Sequence, residues 1–452
     1  MNSSLHTETI RIVTRRLMPF LMLLYLVAYV DRANISVAAL QMNADLGLSA
    51  RMYGLGAGLF YVTYILFEVP SNVILARVGA RRWIARIMVT WGLVACGMAF
   101  VRSPGQLYTM RLLLGAAEAG FTPGVIYYIS RWFPSSDRAR AMSWFYVAAA
   151  LASVVGLPLS GALLHLDGAL GWAGWRWLYF VEGVPAVLLG LVVLRYLPDR
   201  ISDARWLTSA QADWLEQSIA VESSRAPAHH AGGWRGAFAD GRVWLLGLFW
   251  LLQAFGTIGV TLFLPQILKG MSGGSNFVVS LLSALPFLLA ALMMYLNGRH
   301  SDASCERRLH LGLPLLTAGV LLIASVAAGH SFVTYVLLVL AVGLNWAVTP
   351  VFWAVTTEYL AGGAAAAGAI ALINAVANLA GVGLPPLLGL IRDETGSYDL
   401  GLQGIGAALI AGGLLGLALA RRTSAPGAPP VARSPEMLSS TQTQNEHNDM
   451  SG

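Results

Sequence analysis

Six ionisable side chains lie inside long apolar stretches of the sequence: Asp31, Arg32, Glu68, Arg111, Glu118 and Glu182. Charges in a hydrocarbon medium are costly, so each is a functional candidate by default. Two guanidinium groups can grip a carboxylate with paired hydrogen bonds. Two carboxylates can carry and release a proton, because burial favours their neutral form. At a rise of about 1.5 Å per residue, Asp31 lies about 21 Å along its helix from Leu17. Arg111 and Glu118 lie on a segment running the other way, about 6 and 16 Å below the opposite surface. The four charges share one depth band of a core about 30 Å thick. Arg111 and Glu118 are two helical turns apart and so share a face. Adjacent helix positions point about 100° apart, which weakens the case for Arg32 beside Asp31. The same four residues also fit a charge cluster that braces two helices. Glu68, beside Pro70 at a helix end, reads as a structural partner for loop arginines. Glu182, near Gly183 and Pro185, reads as structural.

The elements that must position these groups are membrane helices. Hydrophobic residues make up 56% of 452 and charged residues only 12%, about half the charge a soluble domain needs to coat its surface. Twelve segments reach the roughly 20 apolar residues a spanning helix requires: 17–40, 52–76, 84–101, 106–130, 139–165, 176–197, 242–268, 276–297, 309–328, 331–355, 365–391 and 400–420. The expected fold is an all-α membrane protein of twelve transmembrane helices in two pseudo-symmetric six-helix halves. Arg11, Arg15 and Arg16 precede the first apolar run as in a signal peptide, but no small-residue cleavage site follows, so the run is expected to stay as a helix. Of 29 Lys and Arg residues, 22 fall at one end of the spans, five at the other and two within them. The positive-inside rule then places both termini in the cytoplasm of a multi-pass inner-membrane protein. The bias explains the net charge of +6 without nucleic acid. Cys96 and Cys305, one apolar and one in a charged loop, predict no disulfide.

The expected organisation is a cytoplasmic N-terminus (1–16), a first bundle (17–197), a cytoplasmic linker (198–241), a second bundle (242–420) and a disordered cytoplasmic tail (421–452). In the linker, Thr208-Ser-Ala-Gln211 has a capping-box pattern ahead of Trp214, Leu215 and Ile219, which suggests a short amphipathic helix on the membrane face or a partly helical solvated linker. The tail is rich in Ser, Thr, Pro, Gln and Asn. The halves echo each other: Val-Gly-Ala-Arg81-Arg82 follows the second segment, and Gly298-Arg-His-Ser-Asp302 with Glu306-Arg307-Arg308 follows the eighth. Such internal repeats mark secondary transporters.

Gly-x-x-x-Asp followed by Arg-Arg resembles the signature loop of the major facilitator superfamily. Pro70-Ser71-Asn72 with Gly79-Ala-Arg-Arg82 resembles its anion:cation symporter branch, as do Tyr29-Val-Asp31-Arg32-Ala-Asn34-Ile-Ser36, Arg111-Leu-Leu-Leu-Gly115-Ala-Ala-Glu118-Ala-Gly120, Gly174-Trp-Arg-Trp177 through Glu182-Gly183, and Leu197-Pro-Asp-Arg200 through Trp206-Leu207. The resemblance spans roughly residues 15 to 420. It implies that Asp31 and Glu118 take part in proton coupling, that Arg32 and Arg111 contact an anionic substrate, that Tyr29 lines the site and that Asn374 binds substrate polar groups. Arg81, Arg82, Asp302, Arg307 and Arg308 would form gating loops. Asn72 and Ala76 stand where the superfamily usually has Gly and Asp, which puts the gating ion pair of the first loop in doubt. Asn378, one turn from Asn374, reads as a packing residue. Tyr29, Tyr61, Tyr64, Trp144, Tyr146, Trp346 and Trp353 could stack on an aromatic substrate, although interface belts explain them as well.

Three function classes follow. The first is proton-coupled uptake of a small organic anion, a carboxylate such as a hydroxy-dicarboxylate or aromatic acid, by a chain acting as a monomer in the lipid bilayer, with no cofactor beyond the proton as coupling ion. The second is proton-antiport efflux of a metabolite or drug. Gly156-Leu157-Pro158 interrupts the Gly-Pro dipeptide typical of such antiporters, and an arginine pair suits anions better than cations. The third is a membrane enzyme or receptor. No metal-ligand cluster, nucleophile motif or phosphate loop stands out, so no catalytic residue and no metal site are expected.

Overall fold

The computed structural model describes residues 2–225, 238–329, 331–360 and 364–423. The tail beyond Thr423 lies outside the described residues. Apolar sequence forms helices because, in lipid, only a helix satisfies its own backbone. The first half contains α1 (Asn2–Asp45), α2 (Ala50–Val78), α3 (Ala80–Met98), α4 (Pro104–Glu118), α5 (Phe121–Trp132), α6 (Ser135–Leu163) and α7 (Gly174–Tyr196). The linker helix α8 (Ser209–Arg225) follows. The second half contains α9 (Gly241–Ala254), α10 (Thr261–Ser272), α11 (Asn276–Ser304), α12 (Arg308–Ala327), α13 (Phe332–Ala347), α14 (Thr349–Leu360), α15 (Ala364–Thr395) and α16 (Asp399–Thr423). Ten of the resulting rods are long and apolar enough to cross a membrane. With α3 and α6, twelve helical rods build the bundle.

Three rods are broken. The π-turn Phe255–Val260 joins α9 to α10, and Val348 separates α13 from α14. The third break follows Glu118. Gly120 there takes φ +86, the left-handed region, and a Cβ on it would collide with the Ser71 side chain of α2. Only glycine tolerates both conditions. The α1 helix also begins well before its apolar run, at Asn2.

The halves repeat one packing pattern. In the first, α3 packs on α7, α2 on α4, and α1 on α6 and α7; in the second, α12 packs on α16, α11 on α13, and α9 on α15 and α16. The halves meet where α2 packs on α15, α6 on α11 and α1 on α10. All three contacts lie toward the arginine-poor end. Gly54 and Gly58 of α2 touch Pro385 and Pro386 of α15, and Gly161 of α6 touches Ser280 of α11. Tyr53 Oη donates to the Leu262 carbonyl at 2.8 Å. Asp393 accepts from the Ala50 and Arg51 N–H groups, both at 2.9 Å, a carboxylate at a helix N-terminus. On the arginine-rich half of α2, Leu66, Phe67 and Val73 are exposed. The two halves are therefore joined at the arginine-poor end and diverge toward the arginine-rich end.

Candidate functional site

Asp31 and Arg32 lie past the middle of α1, and Arg111 and Glu118 lie on α4. Together with Phe60, Tyr61, Leu114 and Leu262 they line one small cavity between the halves. The sequence-predicted quartet thus comes together in space. Arg32 Nε donates to Glu118 Oε1 at 2.5 Å. The 100° between neighbours on α1 is bridged because the long arginine chain reaches across to α4, while the short Asp31 points elsewhere. Asp31 instead accepts from the indole N–H of Trp91 on α3 at 2.6 Å and from Asn34 Nδ2 at 3.0 Å. A charge-assisted bond from an indole, which can only donate, fixes that carboxylate in one orientation.

The cations are incompletely neutralised. The Nη2 of Arg32 and the Oε2 of Glu118 are buried without a partner. Arg111 is buried, donates from Nε to the Gly56 carbonyl at 3.2 Å, and has no ion pair among the described residues. Both guanidiniums rest on aromatic faces: Arg32 is 4.9 Å from the Tyr64 ring centre and 5.7 Å from that of Tyr29, and Arg111 is 4.8 Å from Phe60. Such faces hold a cation without consuming its hydrogen bonds. The donors stay available for an anion.

Other candidates fall outside the cavity. Asn374 is half-buried on α15, about 10 Å along that helix from Gly381, whose packing against Tyr61 marks the cavity wall. Trp144 is exposed, and the side chain of Tyr146 lies outside the described residues. Glu68 makes no ion pair with loop arginines among the described residues; it is buried, and its electrostatic partner is Arg32. The loop with Ala76 in place of an acid pairs with a carboxylate from elsewhere in the chain. Arg81 pairs with Asp199, from the segment after α7, through Nε at 3.2 Å and its backbone N–H at 3.0 Å. In the second half Arg307 bridges Asp302 at 2.5 Å and Glu358 at 3.1 Å, and Arg308 donates to the Leu417 carbonyl at 2.9 Å. Arg82 is exposed. Thr208 and Gln211 exchange the two hydrogen bonds of a capping box at the start of α8.

Sequence reasoning missed two polar clusters. In the second half, Gln253, Thr257 and Asn345 bond to one another across the π-turn and α13. In the first, Asn34 donates to Asp31 at 3.0 Å, and Ser160 donates to the buried Glu182 at 2.7 Å. The i to i+3 spacing of Asp31 and Asn34 was the available signal for the second.

The Major Facilitator Superfamily profile matches residues 21–385. A protein of Agrobacterium vitis provisionally named a tartrate transporter is 44% identical over 93% of this chain and 96% of its own. A quinolone resistance transporter of Acinetobacter baumannii is 38% identical over 90% of this chain and 94% of its own. Among solved structures, a bacterial homologue of the human lysosomal transporter Spinster, inward-facing and unoccupied, superposes with a TM-score of 0.74 at 20% identity, covering 93% of this chain and 99% of that one. The chain belongs to the major facilitator superfamily. It is a membrane transporter of small molecules and not an enzyme.

Proposed function

We propose that the protein is a proton-coupled symporter that takes up a small carboxylate by alternating access. One observation carries the reading: Arg32, Arg111, Asp31 and Glu118 line a single cavity where the two halves part. A substrate carboxylate would compete with Glu118 for Arg32 and complete the hydrogen bonding of Arg111. Protonation of Glu118 releases Arg32 for the anion, so proton and anion bind together. Neutralising one another, they cross a low-dielectric core more cheaply than either alone. Tyr29 beside Arg32 supplies part of the wall, and Asn374 reaches the substrate from the second half when the halves close. Arg81–Asp199 and Arg307–Asp302–Glu358 hold loops that change partners in that closure. The name carried by the Agrobacterium relative directs the substrate search toward hydroxy-dicarboxylates, tartrate first.

Uptake into proteoliposomes tests the mechanism. Wild type should accumulate tartrate, or a member of a carboxylate panel, under an inward proton gradient. Glu118→Gln, fixed in the protonated form, should still bind and exchange substrate but lose gradient-driven accumulation. Accumulation by Glu118→Gln equal to wild type would remove Glu118 from coupling. Expulsion of substrate under the same gradient would instead favour the second reading, proton-antiport efflux, which the Acinetobacter relative keeps in view.

The arginine distribution supports a topology with both termini and α8 in the cytoplasm of an inner membrane. Gln217→Cys, in a Cys305→Ser background, should resist an impermeant thiol reagent in intact cells and react after lysis. Equal labelling in both preparations would invert or abolish this topology.

A further inference from the structure

The seam between α2 and α15 changes character where it reaches the cavity. The two helices run antiparallel, and their contacts step along the seam: Ala50 meets Gly389, Gly54 meets Pro385, Gly58 meets Val382 and Pro386, and Tyr61 meets Gly381. At the first three steps a glycine brings backbone close to backbone. A Cβ on Gly389, Gly54 or Gly58 would run into the carbonyl of Ala50, Pro385 or Val382. At the fourth step α2 presents a ring instead. A Cβ on Gly381 would overlap Cγ, Cδ1 and Cδ2 of Tyr61 at once, so the ring rests on the glycine with no space for a methyl group between them. Further along α2 the seam opens, and Leu66 and Phe67 are exposed. Away from α15 the ring faces the cavity. Tyr61 is half-buried and lines that cavity with Arg32, Arg111 and Glu118. Its ring meets Phe60 edge-on at 5.2 Å, and Phe60 in turn carries Arg111 at 4.8 Å. Tyr61 is thus a cavity wall of the first half that leans on the second.

We infer that Tyr61 sets the upper size of the anion the cavity takes, and that Gly381 is the residue that positions it. A larger residue at position 381 must push the ring toward the guanidiniums or spread the helix pair. Spreading the pair would break the close backbone contacts at Gly54, Gly58 and Gly389, so the ring is what gives way. With glycine at 381 the ring stands as far back from Arg32 and Arg111 as the seam allows. The space in front of them then takes a carboxylate carried on a short chain or a single ring, and refuses one carried on a fused ring system. Asn374 lies two helical turns before Gly381 and shares its face of α15. The face proposed to bring an amide to the substrate is therefore the face on which the ring is seated. This deepens the small-carboxylate reading and rests on it.

Titration calorimetry of the purified protein with tartrate, phthalate and naphthalene-2,6-dicarboxylate tests this. Wild type should bind the better of the two small acids at least about tenfold more tightly than the naphthalene acid. In Tyr61→Ala that gap should close by about tenfold, and in Tyr61→Phe, which keeps the ring, it should remain. An unchanged gap in Tyr61→Ala would overturn the size limit. Should Tyr61→Ala fail to fold, Tyr61→Leu carries the same expectation and the same penalty. Gly381→Ala should weaken binding of the small acid by about tenfold. Combined with Tyr61→Ala it should cost nothing further, because no ring remains to be displaced. A loss that persists in the double variant would make Gly381 a helix-packing residue and overturn its positioning role. A wild type that binds none of the three acids would sink the carboxylate reading, and the size limit is then decided without them. Leu114→Cys, in a Cys96→Ala and Cys305→Ser background, is treated with methanethiosulfonates of graded bulk. The bulkiest reagent should react at least about tenfold faster once Tyr61 is replaced by alanine. Equal rates with and without the ring would overturn the proposal.

Discussion

The two halves share a packing pattern but divide the polar work unequally. Every buried carboxylate or guanidinium among the described residues belongs to the first half: Asp31, Glu68, Arg111, Glu118 and Glu182. The second half buries neutral groups instead: Gln253 and Asn345 are buried and bonded to each other and to the half-buried Thr257. Of the cavity lining, only Leu262 comes from the second half. A repeated fold has thus separated two tasks. One half holds ionisable groups against a rigid helical frame, where desolvation makes their interactions strong. The other supplies an uncharged wall to the cavity, Leu262, so no ion pair of the core crosses between the halves among the described residues.

That division can be broken by substitution. The largest effect is expected at Arg111. Arg111→Lys keeps the charge but loses the planar fork, so carboxylate affinity should fall by about 2 kcal/mol, roughly thirtyfold. Isothermal titration against the transported anion measures it, and a change under about twofold would take Arg111 out of the binding site. A substitution in the neutral cluster should behave differently. Asn345→Ala leaves the Thr257 hydroxyl short of a partner and should cost about 1–2 kcal/mol of stability. The pH dependence of uptake should nevertheless match wild type. Altered coupling in Asn345→Ala would show that proton chemistry extends into the second half. The smallest effect is expected at the contact joining the halves. Asp393→Asn weakens the carboxylate's hold on the first turn of α2 by about 0.5–1 kcal/mol. Spin labels at Arg51 and Arg392 should then show a larger separated population at the arginine-poor end. A distance distribution identical to wild type would mean that Asp393 does not hold this end closed.

The residues of the cavity were legible in the sequence to different degrees. Asp31, Arg111 and Glu118 stood out because an ionisable group in an apolar run has no neutral explanation, and the helical rise alone gave them a common depth. Arg32 was harder to place, since its direction depends on side-chain reach and not on helix phase. Glu182 reads as structural from its Gly and Pro neighbours. Its hydrogen bond from Ser160 joins α6 to α7, and no local spacing encodes a contact between two helices. The same holds for Asp199, which replaces the absent acid at Ala76 only because the chain after α7 folds back on the start of α3.

By itself the sequence determined that this is a helical membrane protein of twelve spans, because hydropathy and helix rise act locally and lipid permits few alternatives. It also determined the asymmetry of its arginines and which half carries the buried charges. Tertiary structure alone decided which charges pair. Arg32 took Glu118, Asp31 took Trp91 and Asn34, and Arg111 kept its fork for something else. It alone decided where the rods break, beside Glu118 and at Phe255–Val260, and at which end the halves are joined. Pairing and closure depend on distances between helices, and those are set by packing small residues such as Gly54 and Gly58 against Pro385 and Pro386, many turns of chain away.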